Sequence, residues 1–411
     1  MSQKPTNDYL ILLALWLMMF SASSQVIIVS PILPEIGEAL NIPEALRGTL
    51  ITSYTVLLGA FAFIIGPISD KIGRRLVLLM GTSLMAFALM LHGIVETFFG
   101  MLSVRALAGI AGGVLSGAVV AYVGDYFPYE RRGWANGWVM SGIAVGQIVG
   151  IPIGKVLASA FGFRWPFLMF AITMGLAALL VWWFVPQPNV ERDANRLTIG
   201  RALKNYWKLL HEQYVLPAAI VYLLMFFSIG VYVIYLPTWL EDFVGISSNQ
   251  IALLFLVGGI ANVITGPNAG TISDKVGRKP LVLVSCIGFA VVMIGTTYLT
   301  TGVISAYILF ALAMVAVALR ISPLQSLMSA LVPAQRRGML MSLAISIGQI
   351  GMGIASFVAG ILYTQYGYLS NTILGAVAIL LMAWMVQKML PEPKADITAE
   401  TAVAEPAAAR R

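Results

Sequence analysis

Two arginines stand inside long apolar stretches of this 411-residue chain, at Arg105 and Arg320, with no other charged residue in either stretch. A guanidinium in an apolar setting is costly, so it must face protein or water, where it can pair with an anion or with a proton-carrying group. We expect both arginines to serve substrate binding or coupling. The alternatives are that Arg105 extends to the nearby water, and that Arg320 binds backbone carbonyls near Pro323.

Uncharged polar residues also occur within the apolar stretches. Each one alone is more commonly an interhelical hydrogen bond than a ligand contact. Together they predict the polar lining of a cavity, and the candidates are Gln25, Tyr54, Gln147, Tyr232, Asn262, Gln325 and Gln349.

Acidic residues avoid the apolar stretches. All 18 of them fall in connecting segments, in the tails or at the ends of stretches, and Glu35 and Asp125 come nearest to the apolar interior. A cationic substrate would therefore lack a buried counter-charge. Two buried arginines without a buried carboxylate favour an anionic, zwitterionic or neutral amphipathic substrate.

Composition excludes several classes of protein. Hydrophobic residues make up 59% of the chain and charged residues only 10%, far from the roughly 25% charge of soluble domains. This excludes a soluble enzyme, a nucleic-acid-binding protein and a disordered chain. One cysteine cannot build a cysteine-based metal site, and two histidines cannot build a zinc site alone, so we expect no metal and no cofactor. No catalytic constellation and no phosphate-binding G-x-x-x-x-G-K-[ST] loop occur, which argues against an enzyme and against an ATP-driven pump.

The apolar stretches are long enough to cross a bilayer, which takes about 20 apolar residues as a helix. We predict an all-α integral membrane protein with twelve transmembrane helices. Their expected ranges are 9–30, 46–66, 75–95, 98–122, 133–160, 164–185, 214–240, 249–270, 280–299, 303–328, 338–361 and 369–390.

Basic residues mark one face of the predicted membrane protein. All but five of the 25 lysines and arginines fall on the side that holds both termini, the exceptions being Arg47, Arg105, Lys155, Arg164 and Arg320. Such a bias identifies the cytoplasmic side. We therefore expect a multi-pass protein with both termini in the cytoplasm, most simply in a bacterial cytoplasmic membrane.

The two halves of the chain repeat each other. GPISDKIGRR, which begins at Gly66, recurs as GTISDKVGRK from Gly270, and PYERRG from Pro128 recurs as PAQRRG from Pro333, at nearly the same spacing. This predicts a duplicated six-helix unit. We expect an N-terminal bundle over 1–185, a cytoplasmic linker over 186–213, a C-terminal bundle over 214–390 and a disordered tail over 391–411.

The repeated G-x-x-S-D-K-x-G-R-[RK] segment resembles the signature loop of the major facilitator superfamily. The resemblance covers about residues 9–390 and implies that superfamily's fold of two pseudo-symmetric six-helix bundles. It also implies a cytoplasmic latch between the bundles, with Asp125 as a partner for Arg74. Glycine permits close helix packing, and the aspartates would be favoured near the start of the next helix. The latch residues are Gly66, Asp70, Arg74, Asp125, Gly270, Asp274 and Arg278.

Two further motifs resemble the drug–proton antiporters of that superfamily. The segment RALAGIAGG from Arg105 resembles a fourth-span motif whose arginine is associated with proton coupling. A glycine stripe in the fifth span resembles an antiporter motif but has Ile151 and Lys155 at positions where the family pattern differs. The stripe predicts close helix packing, through Gly142, Gly146, Gly150 and Pro152.

These features together predict a monomeric secondary transporter that works by alternating access. We expect proton-coupled efflux of a small amphipathic or anionic compound, with spans 1, 4, 5, 7, 8, 10 and 11 lining the cavity as the superfamily fold implies. The nearest alternative is a symporter or facilitator for uptake of an organic anion. A channel or lipid scramblase is less consistent with a duplicated latch, because a pore needs no alternating gates. The expected partners are the substrate, protons and the lipid bilayer, and not nucleic acid.

Overall fold

The structure, a computed structural model, describes residues 7–188, 199–333 and 336–391. Side chains are not described at positions 66, 67, 70, 129, 199, 201–203 and 205. The expected disordered tail over 391–411 falls outside the described residues apart from its first position.

Twelve helices in the described part of the chain are long and apolar enough to cross a membrane, which confirms the predicted fold class. The helices of the first half are α1 (Asp8–Ile27), α2 (Leu33–Ala39), α3 (Glu44–Arg47), α4 (Thr49–Ile72), α5 (Arg74–Leu91), α6 (Phe98–Leu115), α7 (Ala118–Tyr126), α8 (Tyr129–Val145), α9 (Ile151–Phe161) and α10 (Arg164–Phe184). Those that follow are α11 (Ile199–Leu210), α12 (Val215–Val233), α13 (Leu236–Asp242), α14 (Ser248–Val276), α15 (Arg278–Leu299), α16 (Val303–Ser329), α17 (Arg337–Tyr366) and α18 (Tyr368–Met389).

Three of the predicted spans are interrupted. The fourth is broken between α6 and α7 at Ser116 and Gly117, and the seventh between α12 and α13, where Pro237 lies in the first turn of the second piece. The fifth consists of α8 and α9 joined by a π-helical turn over Gly146–Gly150. A π turn inserts an extra residue into the helical repeat and is frequent at functional sites.

The glycine stripe of the fifth span packs against α1. A Cβ atom at Gly142 would lie 2.6 Å from the backbone oxygen of Trp16, and one at Gly150 would lie 2.3 Å from Ser24 Oγ. A Cβ atom at Gly146 would lie 2.5 Å from Ser23 Oγ and 2.7 Å from Ser24 Oγ. These glycines therefore permit the expected close packing of the fifth span against α1, which larger side chains would prevent.

The two six-helix bundles meet along two seams. In one, α4 packs along α17, where a Cβ at Gly59 would lie 2.7 Å from the backbone oxygen of Ser346. In the other, α14 packs along the π turn and α9, with Gly259 against Gln147 and Ile148. A cavity between the bundles lies between these seams.

The segment between the bundles contains an amphipathic helix, α11, where the sequence predicts only a polar linker. Leu209 is buried, and the ring of Tyr206 meets Phe63 edge to face at 5.4 Å. On the other side Trp207, Lys204 and Lys208 are exposed. The apolar positions recur with helical spacing, but they are too few to stand out among the membrane spans.

Candidate transport cavity and gates

A cavity of about 400 Å³ lies between the two bundles, a size suited to a small organic molecule. Aliphatic and aromatic side chains form most of its wall, among them Phe226, Phe255, Phe310, Met314 and Met352. Its polar lining side chains are Ser23, Ser30, Thr55, Gln147, Asn262 and Gln349. No charged side chain is among the described lining residues.

Three amide side chains face this cavity from three helical segments, as predicted for Gln147, Asn262 and Gln349. Gln147 lies in the π turn, and the turn's altered repeat places it beside Gly259 of α14. Asn262 belongs to α14 and Gln349 to α17. Within the described residues no hydrogen bond occupies these amides, so each has a donor and an acceptor available to a ligand.

The cavity wall differs from the expectation in one helix. Spans 1, 5, 7, 8, 10 and 11 contribute as expected, but the described lining includes α4, through Ile51 and Thr55, and not the fourth span. Glycines in the fourth span explain why α4 takes its place in the cavity wall. A Cβ at Gly109 would lie 2.3 Å from the backbone oxygen of Tyr54, so α6 packs closely behind α4 and away from the cavity.

Arg105 is fully buried behind α4 instead of lining the cavity or extending to water. Its Nη1 donates to Gln25 Oε1 at 3.0 Å, and Gln25 Nε2 donates to Tyr54 OH at 2.8 Å. The guanidinium carbon lies 4.5 Å from the centre of the Tyr54 ring, a cation–π distance. Gln25 and Tyr54, which the sequence predicts at the cavity wall, are instead partners of Arg105.

Arg320 is also fully buried and also absent from the described cavity wall. It points toward α15, with its guanidinium carbon 4.7 Å from the centre of the Phe289 ring and with Cys286 close by. Among the described residues its Nε, Nη1 and Nη2 have no hydrogen-bond acceptor. The expected alternative of bonds to carbonyls near Pro323 is therefore wrong, because no such bond forms in the described part of the chain.

The two remaining candidates for the cavity wall lie elsewhere. Tyr232 is buried within the second bundle, where its hydroxyl pairs with Thr296 Oγ1 at 3.1 Å and its ring meets Phe289 edge to face. Gln325 is exposed on α16. Helical spacing could not distinguish these faces, because the second bundle's helices are apolar on nearly every side.

The first signature loop brings Arg74 and Asp125 together, as the resemblance implied. Arg74 Nε donates to Asp125 Oδ2 at 2.7 Å, and Nη1 donates to Ser69 Oγ at 2.9 Å. The side chain of Asp70 is outside the described part of the structure, as is the surrounding of Gly66. Both Arg74 and Asp125 belong to the first bundle.

The signature aspartates do not begin the helices that follow, which corrects the sequence expectation. Position 70 lies in the last turn of α4, and Asp274 lies in the last turn of α14, where it is exposed. Both helices continue until a glycine with positive φ, Gly73 at 103° and Gly277 at 95°, ends them. In the second copy, Gly270 approaches Ser322 of α16, and Arg278 begins α15.

Hydrogen bonds join the bundles at the end of the molecule opposite the termini, which we call the distal end. Ser30 Oγ donates to the backbone oxygen of Val233 at 2.8 Å, and Thr52 Oγ1 donates to that of Gly353 at 2.7 Å. The Tyr235 hydroxyl accepts from the Gly48 amide at 3.0 Å and donates to the Glu44 oxygen at 2.8 Å. These bonds hold the two bundles together at the distal end, where Ser30 and Val233 also line the cavity.

An ionic cluster at the distal end also connects the bundles, and the sequence did not predict it. Lys155 Nζ lies 2.6 Å from Glu35 Oε1 and 2.9 Å from Glu241 Oε1, and its side chain is fully buried. Burial raises the pKa of Glu35 above its ordinary value of 4.5, with Lys155 opposing the rise and Glu241 adding to it. In the sequence, Lys155 is distinguished only as a departure from the glycine motif. No sequence pattern links it to Glu35 or Glu241, which are distant along the chain.

The architecture matches a known family. The family model described as "Major Facilitator Superfamily" matches residues 15–315 and 218–410, which together span most of the chain. The chain belongs to the Major Facilitator Superfamily. Proteins of this superfamily are transporters and not enzymes, so the expected absence of enzymatic activity and the membrane location follow from membership.

Similar proteins come from several bacteria. The multidrug resistance protein MdtG of Klebsiella pneumoniae is 25% identical over 389 residues, covering 93% of both chains. MdtG of Proteus mirabilis is 28% identical and covers 72% of this chain and 75% of its own. The MFS-type transporter YwfA of Bacillus subtilis is 26% identical and covers 89% of both chains. These relatives support a multi-pass protein of the bacterial inner membrane.

A solved structure agrees on the fold. The crystal structure of a D-xylose–proton symporter superposes with a TM-score of 0.74, covering 94% of this chain and 98% of the symporter, at 19% identity. This likeness concerns the path of the chain and not the substrate. Superfamily membership, and not this likeness, indicates that the chain moves a small molecule across a lipid bilayer.

Proposed function

We propose that the protein exports small, uncharged amphipathic compounds in exchange for protons. The observation that supports this best is the central cavity, which combines an apolar wall with three unoccupied amides and has no charge among its described lining residues. Apolar area supplies affinity, while a few hydrogen-bonding groups orient the molecule. An organic anion would bury its charge there without a partner, at a large cost in free energy. The cavity therefore favours an amphipathic compound over the anionic alternative.

Alternating access is the mechanism we propose for crossing the membrane. The distal end is closed by hydrogen bonds and by the Lys155 cluster, so substrate would enter from the side of the termini. Opening the distal end would then require the opposite end to close, with the signature loops as latches. We assign this role to Gly66, Asp70, Arg74, Asp125, Gly270, Asp274 and Arg278.

We assign proton coupling to the buried arginines rather than substrate contact. Arg105 is linked through Gln25 to Tyr54 of α4, and two turns of α4 contribute to the cavity wall, so a change at Arg105 can alter the position of α4. Arg320 adjoins the cavity-lining Ile321 on α16, and its guanidinium, which has no acceptor among the described residues, can move toward one in another state.

We also propose a direction of transport, an orientation in the membrane and an oligomeric state. Export is favoured by the relatives that are named as multidrug resistance proteins. The basic residues on the side of the termini favour cytoplasmic termini. We further propose that the monomer is the working unit, because the cavity lies between the bundles of one chain.

A counterflow experiment in proteoliposomes tests the substrate class. Vesicles loaded with an unlabelled compound are diluted into a labelled trace of it, so that exchange requires binding but no ion gradient. We expect saturable exchange for uncharged amphipathic compounds and little for organic anions of similar size. Exchange confined to organic anions would contradict the proposal, and flux that never saturates would indicate a channel.

A further inference from the structure

The distal cluster of Lys155, Glu35 and Glu241 spans the two bundles. Glu35 lies on α2 and Lys155 on α9, both in the first bundle, whereas Glu241 lies on α13 in the second. Lys155 Nζ donates to one oxygen of each carboxylate, and Ser248 Oγ donates to Glu241 Oε1 at 3.1 Å. Separating the bundles at this end must therefore pull Glu241 away from a fully buried ammonium.

The cluster carries an excess negative charge. Two ionised carboxylates share one ammonium, so the group bears one net negative charge when all three are ionised. The surrounding charged groups do not balance it. The neighbouring base is Arg47, which lies near two acids, Glu44 and Asp242. Glu38 and Glu241 also lie near Asp242, so acids outnumber bases among these neighbours as well.

One oxygen of the cluster is positioned to hold a proton. Glu35 Oε2 is buried and has no hydrogen-bond partner among the described residues, while Oε1 accepts from Lys155. A proton on Oε2 would neutralise the cluster without displacing Lys155 from Oε1. Without that proton, the excess negative charge of the cluster has no counter-charge in a largely buried setting, which is unfavourable.

We propose that this cluster is a proton-binding gate, in which one proton from the adjacent water, taken up by Glu35, stabilises the closed distal end. The step is a simple protonation: a carboxylate takes one proton on closing and returns it to water on opening. When the bundles separate, Glu241 enters water and Lys155 keeps Glu35 as a neutral pair. The open state therefore holds the proton more weakly than the closed state. The proposal rests on the alternating motion proposed above, but not on the substrate or on the direction of transport.

The sign of the pH dependence follows from this difference in affinity. Burial raises the pKa of Glu35 in the closed state above its pKa in the open state, where the carboxylate is hydrated. The closed state thus binds more protons across the window between those values. Lowering the pH through that window favours closure, by at most tenfold per pH unit for one proton, and raising the pH favours opening.

Distance measurements between two spin labels test the gate without substrate. Cys286, the one cysteine of the chain, is replaced by serine, and labels are attached at Ala39→Cys on α2 and Asn249→Cys on α14, both located near the distal end. Label distances in detergent are measured across the range from about pH 8 to about pH 5. We expect the short-distance population to grow as the pH falls.

Variants of the cluster distinguish the proton site from a general effect of pH. Glu35→Gln imitates the protonated acid and should remain closed with little response to pH. Glu38→Gln removes the same charge from an exposed position of the same helix and should respond like the parent. Lys155→Gln leaves two partly buried carboxylates without their ammonium, so it should open at high pH and close on acidification.

Several results would overturn the proposal. One is a Glu35→Gln protein that titrates like the parent. Another is a distance that does not change with pH in either the parent or Lys155→Gln. If Glu35→Gln does not fold, Glu241→Gln replaces it, since removing either carboxylate removes the excess charge, and a retained pH response would then count against the gate. Failed transport leaves these distances unaffected, so the two proposals fail separately.

Discussion

Arg105 Nη1 donates a hydrogen bond of 3.0 Å to Gln25 Oε1, which ties the fourth span to the first in the interior of the first bundle. Gln25 in turn donates to Tyr54 of α4, so one glutamine connects three spans. A buried guanidinium that loses such an acceptor keeps its desolvation cost.

Replacing Gln25 by leucine should therefore uncouple transport from protons. Hydrogen bonds to charged groups contribute roughly 1.5–3 kcal/mol, so we expect proton-driven accumulation to fall by about one to two orders of magnitude. Counterflow, which needs no gradient, should change far less. Comparing the two assays in one vesicle preparation is the check, and an equal loss in both would place Gln25 in substrate binding instead.

The cavity amides predict a selective loss of substrate affinity. Gln349→Leu removes a lining amide and keeps the size of the side chain, so KM for counterflow should rise by about two- to tenfold, the equivalent of one neutral hydrogen bond. Gln325→Leu is the matched control, because Gln325 lies on α16 and does not belong to the described cavity wall. Similar KM values for the two variants would refute the assignment of the amides.

The glycine stripe predicts a stability difference between two glycines of neighbouring spans. A valine at Gly150 would force its Cβ against Ser24 Oγ, and overpacking of this kind costs about 1–3 kcal/mol. A Cβ at Gly175 of α10 would have no described atom within 4 Å, so Gly175→Ala should be neutral or slightly stabilising. Thermal unfolding in detergent checks this, with a lower midpoint expected for Gly150→Val alone.

Arg320 and Arg105 should respond oppositely to the same substitution. Arg320 has no hydrogen-bond acceptor among the described residues, so Arg320→Met removes a buried charge and should raise the thermal midpoint while abolishing proton-driven transport. Arg105→Met breaks existing bonds from Nε and Nη1 and should lower the midpoint. A lower midpoint for Arg320→Met would indicate that an acceptor stabilises this arginine in the membrane.

Much of the fold could be predicted from the sequence, because membrane spans and duplicated loops leave local signals. The twelve spans follow from apolar length, and the close packing at Gly150 follows from glycine spacing. The break within the fifth span leaves no comparable signal, since the π turn at Gly146–Gly150 keeps the run of apolar residues intact.

The site was harder to predict than the fold. Gln147 and Gln349 face the cavity as expected, whereas Gln25 and Tyr232 face protein, and both kinds of position occur in equally apolar surroundings. The two arginines suggest an anionic substrate in the sequence, but their side chains are directed away from the cavity wall. Glu35 meets Lys155 through the packing of helices distant in sequence within the first bundle, and Glu241 meets it only across the contact between the bundles.

Proton-coupled export is tested by imposing a pH gradient on proteoliposomes in which the orientation of the protein is known. The vesicle interior is made acidic relative to the medium. Accumulation of an uncharged amphipathic compound is then followed in vesicles whose protein molecules have their termini on the outside. We predict accumulation that saturates with the compound, collapses when a proton ionophore dissipates the gradient, and weakens in Gln349→Leu. Accumulation that is insensitive to the gradient, or that requires the reverse gradient, would contradict proton-coupled export.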